Sequence, residues 1–362
     1  MPEIVPEGTS LASSVAQIRS VTAVRKILLT NSRLRIIVRL PIMRPAVLLA
    51  PALVVCLVAS STLAVDRDSH GVSFQPMKDG RLEIRIDGKS FAVLNHGTEW
   101  NKPFLFPVYA LNGTNVLRDI VPTKADAGSS KEGRDHFHHK GVWVSVDSVN
   151  DDRLNFWSEA SRIECEGVTH SSMNDGSGQL TITNNWMEGD KPLLQETTTV
   201  TIHRSRLLTY HIELSAVEKD VTIYDTKEGF FAVRLAHTMR EMEGGHITNA
   251  DGLKGEKDCW GKPSPWIDYY GEVDGSTAGV TLMDHPGNFR ESRYHVRAYG
   301  LFSISPFGPK KYSGGKEAES PVVIRPGKEP FTLDYGLYIH DGDTETARVA
   351  DVYQQFLKVT GS

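Results

Sequence analysis

Residues 65–362 are predicted to fold as an all-β protein: a large, supersandwich-like antiparallel two-sheet β-sandwich with a C-terminal helix. Three observations predict it. Apolar and polar residues alternate with a period of two in run after run. Asp-Gly and Asn-Gly pairs separate many of the runs. Strand–helix–strand units and a Gly-rich phosphate loop are both missing, which removes the α/β classes.

The alternating runs come in order. Leu82, Ile84 and Ile86 alternate with charged neighbours, and Val142, Val144 and Val146 with Trp143, Ser145 and Asp147. Leu208, Tyr210, Ile212 and Leu214 form a third run, and Phe331, Leu333, Tyr335, Leu337 and Ile339 a fourth. This period lays one face on a core and turns the other outward. Asp87-Gly88, Asn112-Gly113, Asp175-Gly176 and Asp274-Gly275 are read as turns. The closing helix is read from Val349, Val352, Tyr353, Phe356 and Leu357 at helical spacing. Asp343 is its expected N-cap, with Glu345 in the first turn. With no repeat and no linker, residues 65–362 are read as a single domain.

The N-terminal region has a different character. Met43-Arg44 precedes an uncharged, largely apolar stretch that ends in Ser61-Thr62-Leu63-Ala64. That pattern describes a secretory signal peptide over 43–64 with cleavage after Ala64. The rival reading, a membrane anchor, meets a short apolar core interrupted by Pro51. Residues 1–42 are read as a misassigned start or a basic cytoplasmic extension. The product is expected to be exported, periplasmic or extracellular, with no membrane span beyond the signal peptide.

Seven of the 40 basic and two of the 45 acidic residues precede Val65, leaving 33 against 43 and a net charge of −10. Such a balance argues against a nucleic-acid partner. Cys165 and Cys259 either pair or stay as two thiols, and their spacing excludes a zinc–thiolate site.

Asp135-His136-Phe137-His138-His139 is the densest chemical feature of the sequence. If this segment enters the strand that continues through Val146, His136 and His138 share its core-side face while His139 points away. Two such imidazoles suit proton transfer, or half of a divalent-metal site that Glu159 or His295 would complete. Polar strand-end residues bonded to backbone are the plainer alternative. Trp157, in Asn155-Phe156-Trp157-Ser158-Glu159, is either a sugar-stacking face beside a carboxylate or part of the core. Further candidates are His285 and Asn288 in Asp284-His285-Pro286-Gly287-Asn288, then His295 and Arg297, which alternate along one run. Arg234 lies inside the apolar run Phe230–Leu235, where a buried charge needs a partner or a ligand. Trp266 adds aromatic surface.

These motifs resemble one bacterial family. Its members carry a segment like Asp135–Trp143, then a stretch like Asp147–Glu159 ending in Phe-Trp-Ser-Glu. Segments like Tyr294–Gly300 and Ser305-Pro306-Phe307-Gly308 follow. The family bears the label methane oxygenase PmoA and is also described as a domain of unknown function. The methane label is set aside, because a membrane monooxygenase subunit needs several long apolar spans and none follows Ala64. What the resemblance implies is a galactose-mutarotase-like β-sandwich in exported proteins of sugar breakdown. The chain departs from the pattern at Phe137, Tyr294, Ala298 and Ser305, where proline, tryptophan, aspartate and asparagine are usual. Ala298 leaves that position without a carboxylate for acid–base work.

The leading reading is therefore an exported carbohydrate-active enzyme, an epimerase, lyase or hydrolase, acting on a small-molecule or oligosaccharide ligand. His136, His138, Glu159, His295 and Arg297 are its catalytic candidates, and Trp157, Arg234, Trp266, His285 and Asn288 its substrate-binding candidates. One alternative is a metal-dependent enzyme liganded by His136 and His138. Another is a non-catalytic carbohydrate-binding protein that uses Trp157 or Trp266.

Overall fold

The computed structural model describes residues 70–150 and 154–361, so the expected signal peptide at 43–64 and the segment 1–42 lie outside the described residues. Among the described residues there are eighteen strands, and every pairing between them is antiparallel. Those of the first sheet are β1 (Val72–Pro76), β2 (Leu82–Ile86), β3 (Lys89–Asn95), β4 (Phe104–Val108), β5 (Val142–Val146), β11 (Gly229–Arg234), β15 (Arg293–Val296) and β16 (Leu301–Ser305). Their order across the sheet is β1-β2-β3-β4-β5-β11-β16-β15. The second sheet holds β6 (Ile163–Ser172), β7 (Gly178–Glu188), β8 (Lys191–Ile202), β9 (Leu207–Ala216), β12 (His246–Asn249), β13 (Trp266–Val273), β14 (Ser276–Asp284) and β18 (Phe331–Asp341). It runs β12-β13-β14-β18-β9-β8-β7-β6. A small ribbon pairs β10 (Val221–Ile223) with β17 (Val322–Ile324).

Alternation places the core between the two large sheets. From the first come Val142, Val146, Phe231, Val233, Phe302 and Ile304, and from the second Leu180, Val200, Ile212, Leu282 and Leu337, all in one buried cluster. Rings cross the interface directly. Phe231 meets Tyr210 at 4.4 Å and Tyr335 at 5.8 Å between centroids. The all-β two-sheet architecture is thus the expected one, and all four expected turn pairs fall outside strands. Asp87-Gly88 and Asp274-Gly275 each take two successive positive φ values, which suits the twist of a two-residue hairpin.

The short helices α1 (Gly255–Cys259) and α2 (Pro309–Tyr312) precede the expected C-terminal helix, α3 (Val349–Thr360). Arg348 occupies its N-cap position, not Asp343. Asp343 instead accepts the Thr346 N–H at 2.8 Å and closes a turn ahead of the helix. Cys165 and Cys259 are separate thiols. Among the described residues no helix is long and apolar enough to cross a membrane.

The connection from β4 to β5 spans residues 109–141 and delivers the histidine segment. It enters β5 through Gly141, whose φ is +58° and where an added Cβ would stand 2.0 Å from the Leu105 carbonyl oxygen. Both the backbone region and the contact require glycine. Gly141→Ala should lower unfolding stability by about 2 kcal/mol or more. Denaturant titration checks this, and an unchanged midpoint would contradict the close approach.

Candidate functional site

The face of the first sheet turned away from the core carries the site. Register lines up Trp143, Ala232, Ser303 and His295 across β5, β11, β16 and β15. One step along the strands, Arg234 stands opposite Leu301. Trp143, Ala232 and Leu301 form a second buried cluster with Phe104 and Trp157. This face is covered by loops, and they bring in the polar groups.

The histidine segment is not the start of β5. It is a tight turn in which His136 has φ +47° and its carbonyl accepts the His139 N–H at 2.9 Å. A strand would have set His136 and His138 together on the core-side face. The turn instead stacks His136 on His139, with centroids 4.7 Å apart and planes 3° from parallel, and sets His138 edge-on to both. The other face of His136 stacks on Tyr299 at 5.4 Å.

Arg118 holds this turn together. Its guanidinium donates to the carbonyls of Asp135 (2.5 Å), His136 (3.1 Å) and His139 (2.8 Å). Arg234, fully buried, donates to Asp135 Oδ1 at 2.6 Å and lies 3.1 Å from His139 Nδ1. An arginine only donates, so His139 Nδ1 is the acceptor and the ring proton sits on Nε2. The partner that burial of Arg234 demanded is therefore Asp135. The other oxygen of the same carboxylate bonds His136 Nδ1. A carboxylate only accepts, which places the proton of His136 on Nδ1 and leaves Nε2 without a hydrogen-bond partner among the described residues. The His136 side chain is 42% exposed.

A second carboxylate anchors the turn from below. Glu159, at φ +65°, accepts Lys102 Nζ at 2.7 Å and Lys140 Nζ at 2.8 and 2.6 Å. Lys102 also donates to the His138 carbonyl at 2.8 Å, so it joins the histidine turn to the Phe156–Glu159 turn. Four cations thus converge on two carboxylates, with every side chain at most 8% exposed.

Electrostatics follow from burial first and from that excess of positive charge second. Burial, reinforced by the charges of Lys102, His136, Lys140 and Arg118, pushes His138 down to about 3. Burial also drives His139 well below the imidazole range, with His138 and Arg234 adding to the effect. Burial alone would raise Asp135, but its bond with His136 and the charges of Arg234 and Arg118 hold it at about 2. Burial lowers Lys102 to about 8 against the pull of Glu159. Tyr299 is pushed up to about 12 by burial and stays a neutral phenol.

His295 lies farther along the same face, buried, with Nδ1 3.0 Å from the Lys227 carbonyl and Glu228 3.8 Å away. Burial lowers it to about 4. Arg297 pairs with Glu256 at 2.8 Å and reaches over the Tyr299 ring at 5.6 Å. Tyr299 is the shared element, because Arg234 also lies over its ring, at 4.8 Å.

Several expected candidates take other parts. Trp157 is buried against Trp143 and His139, so its ring supports the histidines instead of offering an open face to a sugar. Trp266 is buried under α3 with Val349 and Phe356, in the second sheet. His285 and Asn288 belong to the turn after β14. Asn288 there bonds Asp284 and both backbone groups of Asp334, and the His285 ring meets Phe356. The metal alternative also finds a different arrangement. Glu159 is committed to two ammonium groups, and among the described residues no three His, Cys, Asp or Glu converge as ligands. Sequence reasoning assigns no role to Lys102, Arg118 or Lys140: the first two are lone charges without motif context, and Lys140, though inside the Asp135–Trp143 segment, gives no local sign of its carboxylate partner.

The depressed His138 pKa has a definite sign in stability. Between its ordinary value of 6.5 and about 3, the unfolded chain binds a proton that the folded chain refuses. Stability then falls on acidification by about 1.4 kcal/mol per pH unit for this one group. Urea unfolding should therefore show His138→Gln losing less stability than wild type between pH 6.5 and about 4.5, by up to about 2 kcal/mol. Equal losses would contradict a neutral His138.

No curated protein matches the chain. Solved structures similar to it include a GH36 alpha-galactosidase from Geobacillus stearothermophilus, at 9% identity over 69% of this chain and with a TM-score of 0.40. This chain spans only 39% of that enzyme's length. A galactose 1-epimerase from Lactobacillus acidophilus is similar at 10% identity, over 76% of this chain and 100% of that one, with a TM-score of 0.33. At the level of sequence families, the model of a family of unknown function, DUF6807, matches residues 81–354, and the chain belongs to that family.

Proposed function

We propose that the chain is an exported, periplasmic or extracellular enzyme that moves a proton on a sugar or glycoside, with His136 as the acid–base residue. One observation carries the reading: His136 Nδ1 is bonded to the buried Asp135 carboxylate, while Nε2 stays unpartnered on a partly exposed ring. A carboxylate behind an imidazole fixes its tautomer and stabilises the imidazolium that forms when Nε2 takes a proton. Asp135, held at about 2, stays ionised throughout. Burial, with the nearby cations adding to it, keeps the neighbouring imidazoles of His138 and His139 neutral.

The surroundings suit a hydroxylated ring. Tyr299 supplies a phenol that keeps its proton, and Arg297 a guanidinium fork for hydroxyl or carboxyl oxygens. Trp100 and Phe137, both partly buried, flank Lys140 and add aromatic surface beside the histidines. Epimerisation, elimination and hydrolysis share a proton transfer at this nitrogen, and they differ in what leaves.

The charge arrangement supports function over stability. Burying ions costs several kcal/mol each, and apolar replacements of a buried ion group are often neutral or stabilising. Six such groups beneath one turn are therefore better understood as fixing the geometry and charge of the imidazoles. In a screen of glycosides and keto-sugars, a confirmed substrate should be turned over about 10²–10⁴-fold more slowly by His136→Ala at unchanged Tm. Undiminished kcat in that variant would sink the proposal.

A further inference from the structure

The turn joining β8 to β9 runs His203-Arg204-Ser205-Arg206. It is closed by the His203 N–H on the Leu207 carbonyl and the Arg206 N–H on the His203 carbonyl, both at 2.9 Å. Arg206 ends the turn with φ +65°, a left-handed backbone that glycine or asparagine adopts far more readily than arginine. Its side chain is nonetheless drawn inward. The residue is 7% exposed, and its guanidinium carbon lies 5.8 Å over the buried ring of Phe91. Among the described residues no group accepts a hydrogen bond from this guanidinium, and its Nε is buried without a partner.

Arg206 lines a groove of about 630 Å³ with Arg204, Tyr338, His340, Asp341 and Arg348, walled by the β8–β9 turn, the end of β18 and the start of α3. Its neighbours are already committed. Arg204 is bonded to Asp87 at 3.0 Å, Arg348 to Asp351 at 2.7 Å, and His340 to Asp268 at 2.9 Å. Arg206 is left, among the described residues, as the groove's unpaired cation. An arginine does not shed its proton, so burial cannot neutralise it as it would a lysine. A charged fork whose Nε is buried without an acceptor is costly, and a planar carboxylate matches its geometry in a two-pronged bond. Asp341 makes no ion pair within 4 Å among the described residues and offers an acceptor for hydroxyls, while Tyr338 adds a partly buried ring. The volume lies in the range of small-ligand sites.

We propose that this groove, separate from the histidine turn, binds a hydroxylated organic carboxylate of sugar-acid size, with the ligand carboxylate on Arg206. The test uses the full chain, with glucuronate, glucose and inorganic phosphate as probes in calorimetric titration. Arg206→Gly suits it, because glycine accepts the positive φ and a Tm close to wild type verifies the fold. Glucuronate should bind wild type, and its affinity should fall about tenfold or more in Arg206→Gly. Glucose should not compete, and His136→Ala should bind glucuronate as wild type does. The proposal is overturned by no glucuronate binding, by equal affinity in Arg206→Gly, by glucose binding as well as glucuronate, or by phosphate binding in its place. Loss of glucuronate binding in His136→Ala would place the ligand at the histidine turn and overturn it too.

Discussion

Two buried carboxylates, Asp135 and Glu159, shared among four buried cations, are the constraint on which the architecture around the histidines depends. Asp135 joins Arg234 of the sheet to His136 of the turn, and Glu159 joins Lys102 and Lys140 beneath it. Removing either carboxylate would leave cations buried without compensation, a loss of several kcal/mol. The histidine turn is therefore fixed from two sides by charge and from a third by Arg118, which gathers its carbonyls. A loop of this kind needs such ties, because it has no ladder of its own to satisfy its backbone groups.

The same network sets the chemistry. Burial, reinforced by nearby positive charge, disfavours protonated imidazole at His138 and His139, while Asp135 fixes the tautomer of His136. Adjacent imidazoles in one turn are thus given different tasks by their neighbours alone. The sandwich contributes a flat row, Trp143–Ala232–Ser303–His295, on which the loops rest. Its other face belongs to the core, so the strands serve stability and site at once through their period-two alternation.

Much of the fold was legible in the sequence, because alternation and turn pairs are local signals. Val142–Val146, Leu208–Leu214 and Phe331–Ile339 became strands β5, β9 and β18, and Val349–Leu357 became α3. The site was legible in part. The density of histidines marked the turn, and Arg234 inside an apolar run announced a buried partner. The geometry of the turn was not legible, since carbonyl bonds from Arg118 and Lys102 oppose the extension that the valines downstream suggested. Trp157 and Trp266 show the same limit. A tryptophan beside a carboxylate reads alike whether its ring is open or covered, and only long-range packing decides.

Arg118→Met offers the most direct test of the central claim, read by long-range ¹H–¹⁵N NMR of the imidazoles beside the strand amides. If buried charge holds the histidine turn, the strand amides keep their positions while the His136, His138 and His139 signals move and lose their distinct tautomers. Imidazole signals identical to those of wild type would contradict the account, because the turn would then stand without its central tie.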